Sequence, residues 1–348
     1  MADNSKLHKR RQHSLIYEWA IIAAAVTLIA FVLVAGSWTW KLDGTLYDTG
    51  IVIAERPARA DVVIVAIDED SMAAQGGWPW RRATIAQLIE RIADAKPKAV
   101  GVDILFTEPD YRHPEDDQLL AAALAGTPNV VLPILSVRGL QLMPARSIAG
   151  DARLGRIGLA ADNDGILRRV TLEPDPSDER MPHMALVMAQ AAGVRLQPSY
   201  GGEYLIPFAG PSGKIRRISA SSILRGDIPS SMLENKFILV GVTTPGIADS
   251  YAIPARADTL GNRMTSVEVT ANILSGLLDG RHLRQLDKHY VGLISAAAIL
   301  ILLIVFYRVG PTVSVALMSA ATTLTPLLAL ALLSYADVWF PPVSVALS

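Results

Sequence analysis

Three short apolar runs in this chain end in acidic or hydroxyl side chains, and those ends are where binding chemistry is best placed. VVIVAID (Val62–Asp68) is followed by Glu69, Asp70 and Ser71, and AVGVDILF (Ala99–Phe106) carries Asp103 and leads into TEPDYRHPEDD. KFILVGVT (Lys236–Thr243) opens into a glycine-containing turn with Thr243, Thr244 and Asp249. In an open α/β sheet, ligands bind outside the carboxyl ends of the strands. Asp68, Asp70, Asp103, Thr243 and Asp249 gathered there would suit a cation, an amine or a polyol. The competing use of each is structural, since Asp and Thr are also ordinary helix caps and turn residues.

Two further segments carry chemistry-bearing groups. GGWPWRR (Gly76–Arg82) sets two tryptophans around a proline beside two arginines, so Trp78 and Arg82 could form a rigid ligand platform, or the segment could lid the helix that follows. DNDGILRR (Asp162–Arg169) offers the oxygens of Asp162 and its neighbours beside Arg168, but it lacks the further ligands and closing Glu of a calcium loop. The histidines at positions 8, 13, 113, 183, 282 and 289 have no paired spacing for zinc, and most are expected at surfaces or interfaces. Without cysteine there is no thiolate metal site, disulfide or cysteine nucleophile. No phosphate-binding loop, nucleophile elbow or dinucleotide fingerprint occurs. VVIVAIDEDS is similar to the nucleophile strand of haloacid-dehalogenase-type phosphatases, in which Asp68 would attack phosphorus, but the rest of that pattern does not follow in order. No catalytic residue, cofactor or metal is therefore expected, and the candidate ligand set is Asp68, Asp70, Trp78, Arg82, Asp103, Asp162, Arg168, Thr243 and Asp249.

The elements that must position these groups are legible from periodicity. The runs above, with NVVLPILSV (Asn129–Val137), read as buried strands. Ile85, Leu88, Ile89 and Ile92, and then Leu119, Leu120, Ala123 and Leu124, recur at helical spacing between them. Strand and helix in alternation predict a largely parallel sheet flanked by helices. Ile166–Glu173 and the EYLIPF segment predict an antiparallel extension, with MPHMALVMAQAAG a helix ended by Gly193.

Composition places this domain against a membrane. Of 348 residues 51% are hydrophobic and 19% charged, with a net charge of −1, so the chain has no basic excess for nucleic acid and its apolar residues must be unevenly spread. An uncharged run from Ala20 to Gly36, flanked by Tyr17, Trp19, Trp38 and Trp40, predicts a spanning helix over 17–37. A cleaved signal peptide is the competing reading, disfavoured by those flanking aromatics. Two more spans are predicted over 289–307 and 312–335, antiparallel because only a short turn joins them, with Pro326 kinking the second. Residues 338–348 read as the opening of a fourth. Lys6, Lys9, Arg10 and Arg11 keep the tail 1–16 in the cytoplasm, which leaves 38–288 outside and the Arg308 turn inside.

Together these pieces resemble the second type of CHASE domain, a bacterial extracytoplasmic sensory module. The resemblance runs through Ile67, Asp68, Gly77, Trp78, Pro79, Trp80 and Arg82; through Val102–Phe106 with Glu108, Pro109 and Asp110; and through Asp162, Asp164, Gly165, Arg168 and Arg169. It continues in Leu239, Val240, Gly241, Thr243 and Asp249, with Tyr251 and Pro254 behind, and in Met264, Val267, Glu268, Ala271 and Asn272. Thr265 and Ser266 stand where the family has Pro and Gly. The resemblance implies a multi-pass protein of the bacterial inner membrane that senses an unknown small-molecule or ionic ligand outside. It also implies signalling through membrane helices to a cytoplasmic cyclase, cyclic-dinucleotide enzyme or kinase that this sequence does not include. A homodimer is expected, and nucleic acid is not an expected partner. A membrane-anchored phosphatase using Asp68 and a structural periplasmic scaffold are the alternatives.

Overall fold

The computed structural model describes residues 28, 40–54, 56–137, 140–173, 181–196, 202–254, 263–286, 288–309 and 311–342. The chain divides into two compact units, one formed by Glu55–Leu283 and the other by the segments on either side of it.

The central unit is built on a seven-stranded sheet. Its first strand, β1 (Val62–Ile67), is buried on both faces, as its unbroken apolar run requires. Then come β2 (Ala99–Asp103), β3 (Val130–Val137), β4 (Leu140–Leu142) and β5 (Arg153–Arg156). The pair β6 (Arg169–Thr171) and β7 (Glu203–Leu205) is antiparallel and separate from the sheet. The chain returns to the sheet with β8 (Arg216–Ser219) and β9 (Phe237–Val242). The order is β3-β2-β9-β1-β8, all parallel, with β5 parallel to β3 and β4 antiparallel to it. Strand β9 is thus inserted between β1 and β2, in register from Val62 opposite Phe237 to Ile67 opposite Val242, and from Ala99 opposite Phe237 to Asp103 opposite Gly241.

Side-chain alternation divides the core into two layers. Val63, Val65, Ile67, Val100, Val102, Ile238 and Val240 face the helices Arg82–Asp94, Pro114–Ala125 and Ala220–Arg225, which contribute Ile85, Leu88, Ile89, Ile92, Leu120, Leu124 and Ile223. Leu119, read above as part of the apolar stripe, is half exposed, because Leu120 and Leu124 already fill that contact. On the opposite face lie the helices Met184–Ala191 and Ser266–Leu278. Strand glycines let them come close: a Cβ on Gly101 would meet Met188 Sδ at 2.5 Å, and one on Gly241 would meet Val267 Cβ at 2.9 Å. His183 caps the Met184–Ala191 helix by accepting the Ala185 N–H at 3.2 Å. It is fully buried, unlike the surface position expected for most histidines, and burial pushes its imidazole pKa down to about 3, with Arg156 adding to the effect.

The Ser266–Leu278 helix carries two buried polar residues with structural work. Glu268 accepts the Gly213 N–H at 2.7 Å and the Ser212 hydroxyl at 2.6 Å, and it also pairs with Arg217. Asn272 accepts the Ala209 N–H at 2.9 Å and donates to the Glu268 carbonyl at 2.9 Å. The irregular segment 209–213 is thereby tied to the helix, and the Ala209 and Gly213 N–H groups are satisfied without a strand partner.

In the other unit, the helix Trp40–Ile53 packs on the long helix Pro311–Ala336, where a Cβ on Gly50 would meet Leu333 at 2.7 Å and the Tyr47 and Trp339 rings sit edge to face at 5.3 Å. Pro326 lies within that helix without ending it. The helix Lys288–Arg308 has 21 residues, and Thr312–Ala336, with a mean hydropathy of 1.9, is the one helix among the described residues found long and apolar enough to cross a membrane. The expected first span lies outside the described residues except for Leu28, and so does most of the expected fourth segment.

Removing the Glu268 carboxylate leaves Arg217 and two donors without their acceptor. Glu268→Ala is expected to destabilise the protein by about 3 kcal/mol or more, and Glu268→Gln by less. Urea denaturation of the full chain in detergent checks both, and equal stability of Glu268→Ala and the parent would refute the assignment.

Candidate functional site at the strand ends

After β1 and β2 the chain turns to the face covered by the Arg82–Asp94 and Pro114–Ala125 helices, whereas after β9 it runs to the opposite face and the Ser266–Leu278 helix. Adjacent strands whose continuations diverge leave a crevice at their carboxyl ends. A cavity of about 470 Å³ occupies that position. Asp103, Ile104, Leu105 and Phe106 line it from β2, Val242 and Ile247–Asp249 from β9, Trp78–Trp80 and Arg82 from the segment after β1, and Ser266 from the facing helix. The structure thus brings Trp78, Arg82, Asp103 and Asp249 together, with Thr243 beside Val242 at the end of β9.

Asp103 is the polar centre of the cavity. It accepts the Ser266 hydroxyl at 2.9 Å, and the Ser266 N–H donates to the Asp249 carbonyl at 2.9 Å, so one residue at the start of the helix joins both strand ends. Burial raises the Asp103 pKa to about 6; the Ser266 hydrogen bond opposes the rise and the Asp249 charge adds to it. Tyr251 also lines the cavity, and burial, then Asp249 and Asp103, push its phenol above the ordinary value.

The tryptophan segment is both wall and lid. Trp80 is buried and donates its indole N–H to the Gly76 carbonyl at 2.9 Å, while Trp78, 6.2 Å away between ring centroids, stays partly exposed to the cavity. Arg81 makes two 3.0 Å bonds to Asp116, which is 1% exposed, and this guanidinium holds the Asp116 carboxyl below its usual range. Arg82 pairs with Asp117, donates to the Glu108 carbonyl, and lies 5.8 Å from the centroid of the Phe106 ring. Its charge is therefore spent within the wall. Asp110 is likewise engaged, accepting the Arg112 and His113 N–H groups at 2.9 and 3.1 Å.

The remaining expected residues lie elsewhere. Asp68 follows β1 but caps the Glu69–Gln75 helix, one oxygen accepting the Ser71 N–H, the Ser71 hydroxyl and the Ser219 hydroxyl at 2.9, 2.6 and 2.9 Å. One oxygen of Asp68 is thus committed to the helix cap, and Asp68 does not line the cavity around Asp103. Asp70 is exposed in the first turn of that helix. Asp162 and Asp164 both accept from Arg168 at 3.0 Å, so their oxygens serve a turn rather than a calcium ion. Among the described residues no cluster of three or more His, Asp or Glu could hold a metal. Asp162 lines a second cavity of about 410 Å³ with Arg156, Arg169 and Glu203, and that cavity shares Leu135 and Tyr251 with the first. Ser266 and Tyr251 are the site residues that strand-end reasoning did not select. Ser266 sits far along the chain at a helix start, and its replacement of the glycine expected from the family pattern was its signal.

Asp103 sets a pH dependence. Its folded pKa lies above the unfolded value, so the folded state binds the proton more tightly and gains stability as pH falls from about 7 towards 4. Asp103→Asn is expected to raise stability at pH 7 by about 1–3 kcal/mol and to flatten this slope. Melting temperatures of parent and variant across that range check it; parallel curves would refute it.

A model of the CHASE2 domain matches residues 23–309. No curated protein and no solved structure gives a significant match. With the match covering most of its length, the chain belongs to the CHASE2 domain family, whose members are extracytoplasmic sensory domains.

Proposed function

We propose that this protein is a receptor of the bacterial inner membrane, with Glu55–Leu283 outside the cytoplasm, and that it senses a small ligand in the strand-end cavity. The observation that carries this reading is the position of Ser266, which bonds to both strand ends at the cavity and opens the Ser266–Leu278 helix. In the chain that helix is soon followed by the helix Lys288–Arg308. A ligand that favours one arrangement of Asp103 and Asp249 would bias the helix start, and differential binding free energy is the quantity a receptor must transmit.

Membrane insertion is supported by the apolar surface of the two long helices. Leu293, Ile301, Ile304, Val315, Leu324 and Leu327 are all more than half exposed, and hydrocarbon is the environment that such a surface fits. The basic residues before Ala20 place the N-terminus in the cytoplasm, and the signal passes to a cyclase, cyclic-dinucleotide enzyme or kinase there. Two copies act together, since a moving helix needs a fixed reference, and Ala23, Ala24, Ala25 and Ala30 of the first predicted span permit close approach.

Because the chain has no cysteine, single-cysteine probes are clean. Gln141→Cys should react with an impermeant thiol reagent in intact cells while Ser5→Cys should not; the reverse pattern overturns the orientation. Trp38→Cys should crosslink into symmetric dimers in native membranes, and a monomer at every concentration would refute the paired receptor.

A further inference from the structure

The receptor reading leaves the ligand's chemistry open, and the charge balance of the cavity narrows it. Three carboxylates and one guanidinium line the space. Arg82 is consumed by Asp117 and the Glu108 carbonyl, and Asp110 is capped by two backbone donors. Asp103 and Asp249 remain, and among the described residues neither forms an ion pair. Two like charges near one cavity repel, and a positively charged guest relieves both while leaving them ionised.

The rest of the lining describes that guest's other features. Ile104, Leu105, Leu135, Val242 and Ile247 give apolar walls, and the rings of Trp78 and Tyr251 also face the space. A metal ion would need six or more oxygens, or a near-octahedral shell, which two carboxylates and one serine among aliphatic side chains do not supply. An anion would add to the repulsion, and a neutral polyol would leave it unrelieved while stranding its hydroxyls against apolar walls. An organic ammonium satisfies each condition: charge-assisted hydrogen bonds to the carboxylates, ring faces for the cation, and an aliphatic or aromatic body on the walls.

Resting on the receptor reading, we infer that the cavity between β2 and β9 binds a small organic monoammonium ion, with Asp103 and Asp249 as its counter-charges and Trp78 and Tyr251 as its aromatic wall. Burial, and after it the Asp249 charge, raises the Asp103 pKa, and a cation held beside the carboxylate would act in the opposite sense. Binding would pull Asp103 and Asp249 towards one charge, and Ser266 is bonded to both residues.

Calorimetric titration of the full chain in lipid nanodiscs tests this with phenethylammonium and its neutral isostere 2-phenylethanol. The ammonium should bind at least about tenfold more tightly than the alcohol, and Asp103→Asn and Trp78→Ala should each weaken it by about tenfold. Asp103→Asn is expected to be at least as stable as the parent, so its loss of binding is not a loss of fold; Tyr251→Phe supplies a second mild variant. Equal affinity for the alcohol, sensitive to Trp78→Ala, overturns the ammonium class and leaves the ligand cavity standing. Calcium binding that depends on Asp103, without ammonium binding, does the same. If none of the probes binds by about 10 mM, beyond the weak end of useful affinity, the ammonium inference is overturned. If in addition Trp78→Ala and Asp103→Asn leave signalling by the intact receptor unchanged, the receptor cavity falls with it.

Discussion

The insertion of β9 between β1 and β2 is the constraint on which the rest of the central unit depends. A strand buried on both faces and hydrogen-bonded on both edges must be apolar along its length, and Phe237–Val240 are almost inaccessible to solvent. With β9 there, β1 and β2 are no longer neighbours, and the chains leaving β2 and β9 go to opposite faces. The cavity sits where those chains diverge, with the tryptophan segment as one of its walls.

Gly241 is where strand placement and helix placement meet. It lies opposite Asp103 across the ladder and against Val267 on the facing helix, so its missing side chain allows the start of the Ser266–Leu278 helix to reach the strand ends. That close approach puts the Ser266 hydroxyl within reach of Asp103. Further along the same helix, Glu268 and Asn272 hold the 209–213 segment through backbone and side-chain donors. The helix is therefore anchored through its first two turns and bonded to the cavity by its first residue. In the proposed receptor, a ligand at Asp103 would act on the first residue of this helix.

The electrostatics of the unit separate charges that build the wall from charges that face the cavity. Arg81 with Asp116 and Arg82 with Asp117 tie the tryptophan segment to the start of the Pro114–Ala125 helix, where carboxylates also suit the helix dipole. Arg168 with Asp162 and Asp164 closes a turn in the same manner. Among the described residues Asp103 and Asp249 form no such ion pair, and both line the cavity.

Much of this was legible in the residues alone. The strands at Val62–Ile67, Ala99–Asp103, Val130–Val137 and Phe237–Val242 and the helices between them follow from local apolar periodicity, which burial imposes directly on sequence. The short strands Arg153–Arg156 and Arg216–Ser219 were not legible, because their arginines mask the pattern and they pair only at the sheet margin. Nor could spacing separate Asp68 from Asp103. Both end a buried strand, yet one finds Ser71 three residues on and becomes a cap, while the other finds only Ser266, which tertiary packing brings across from the opposite layer. Strand ends, helix faces and apolar helices can be read along the chain, since they depend on neighbouring residues. Strand order, and with it the choice of carboxylates that face a cavity, emerges on folding, because hydrogen-bonded edges and packed faces join residues that are remote in sequence.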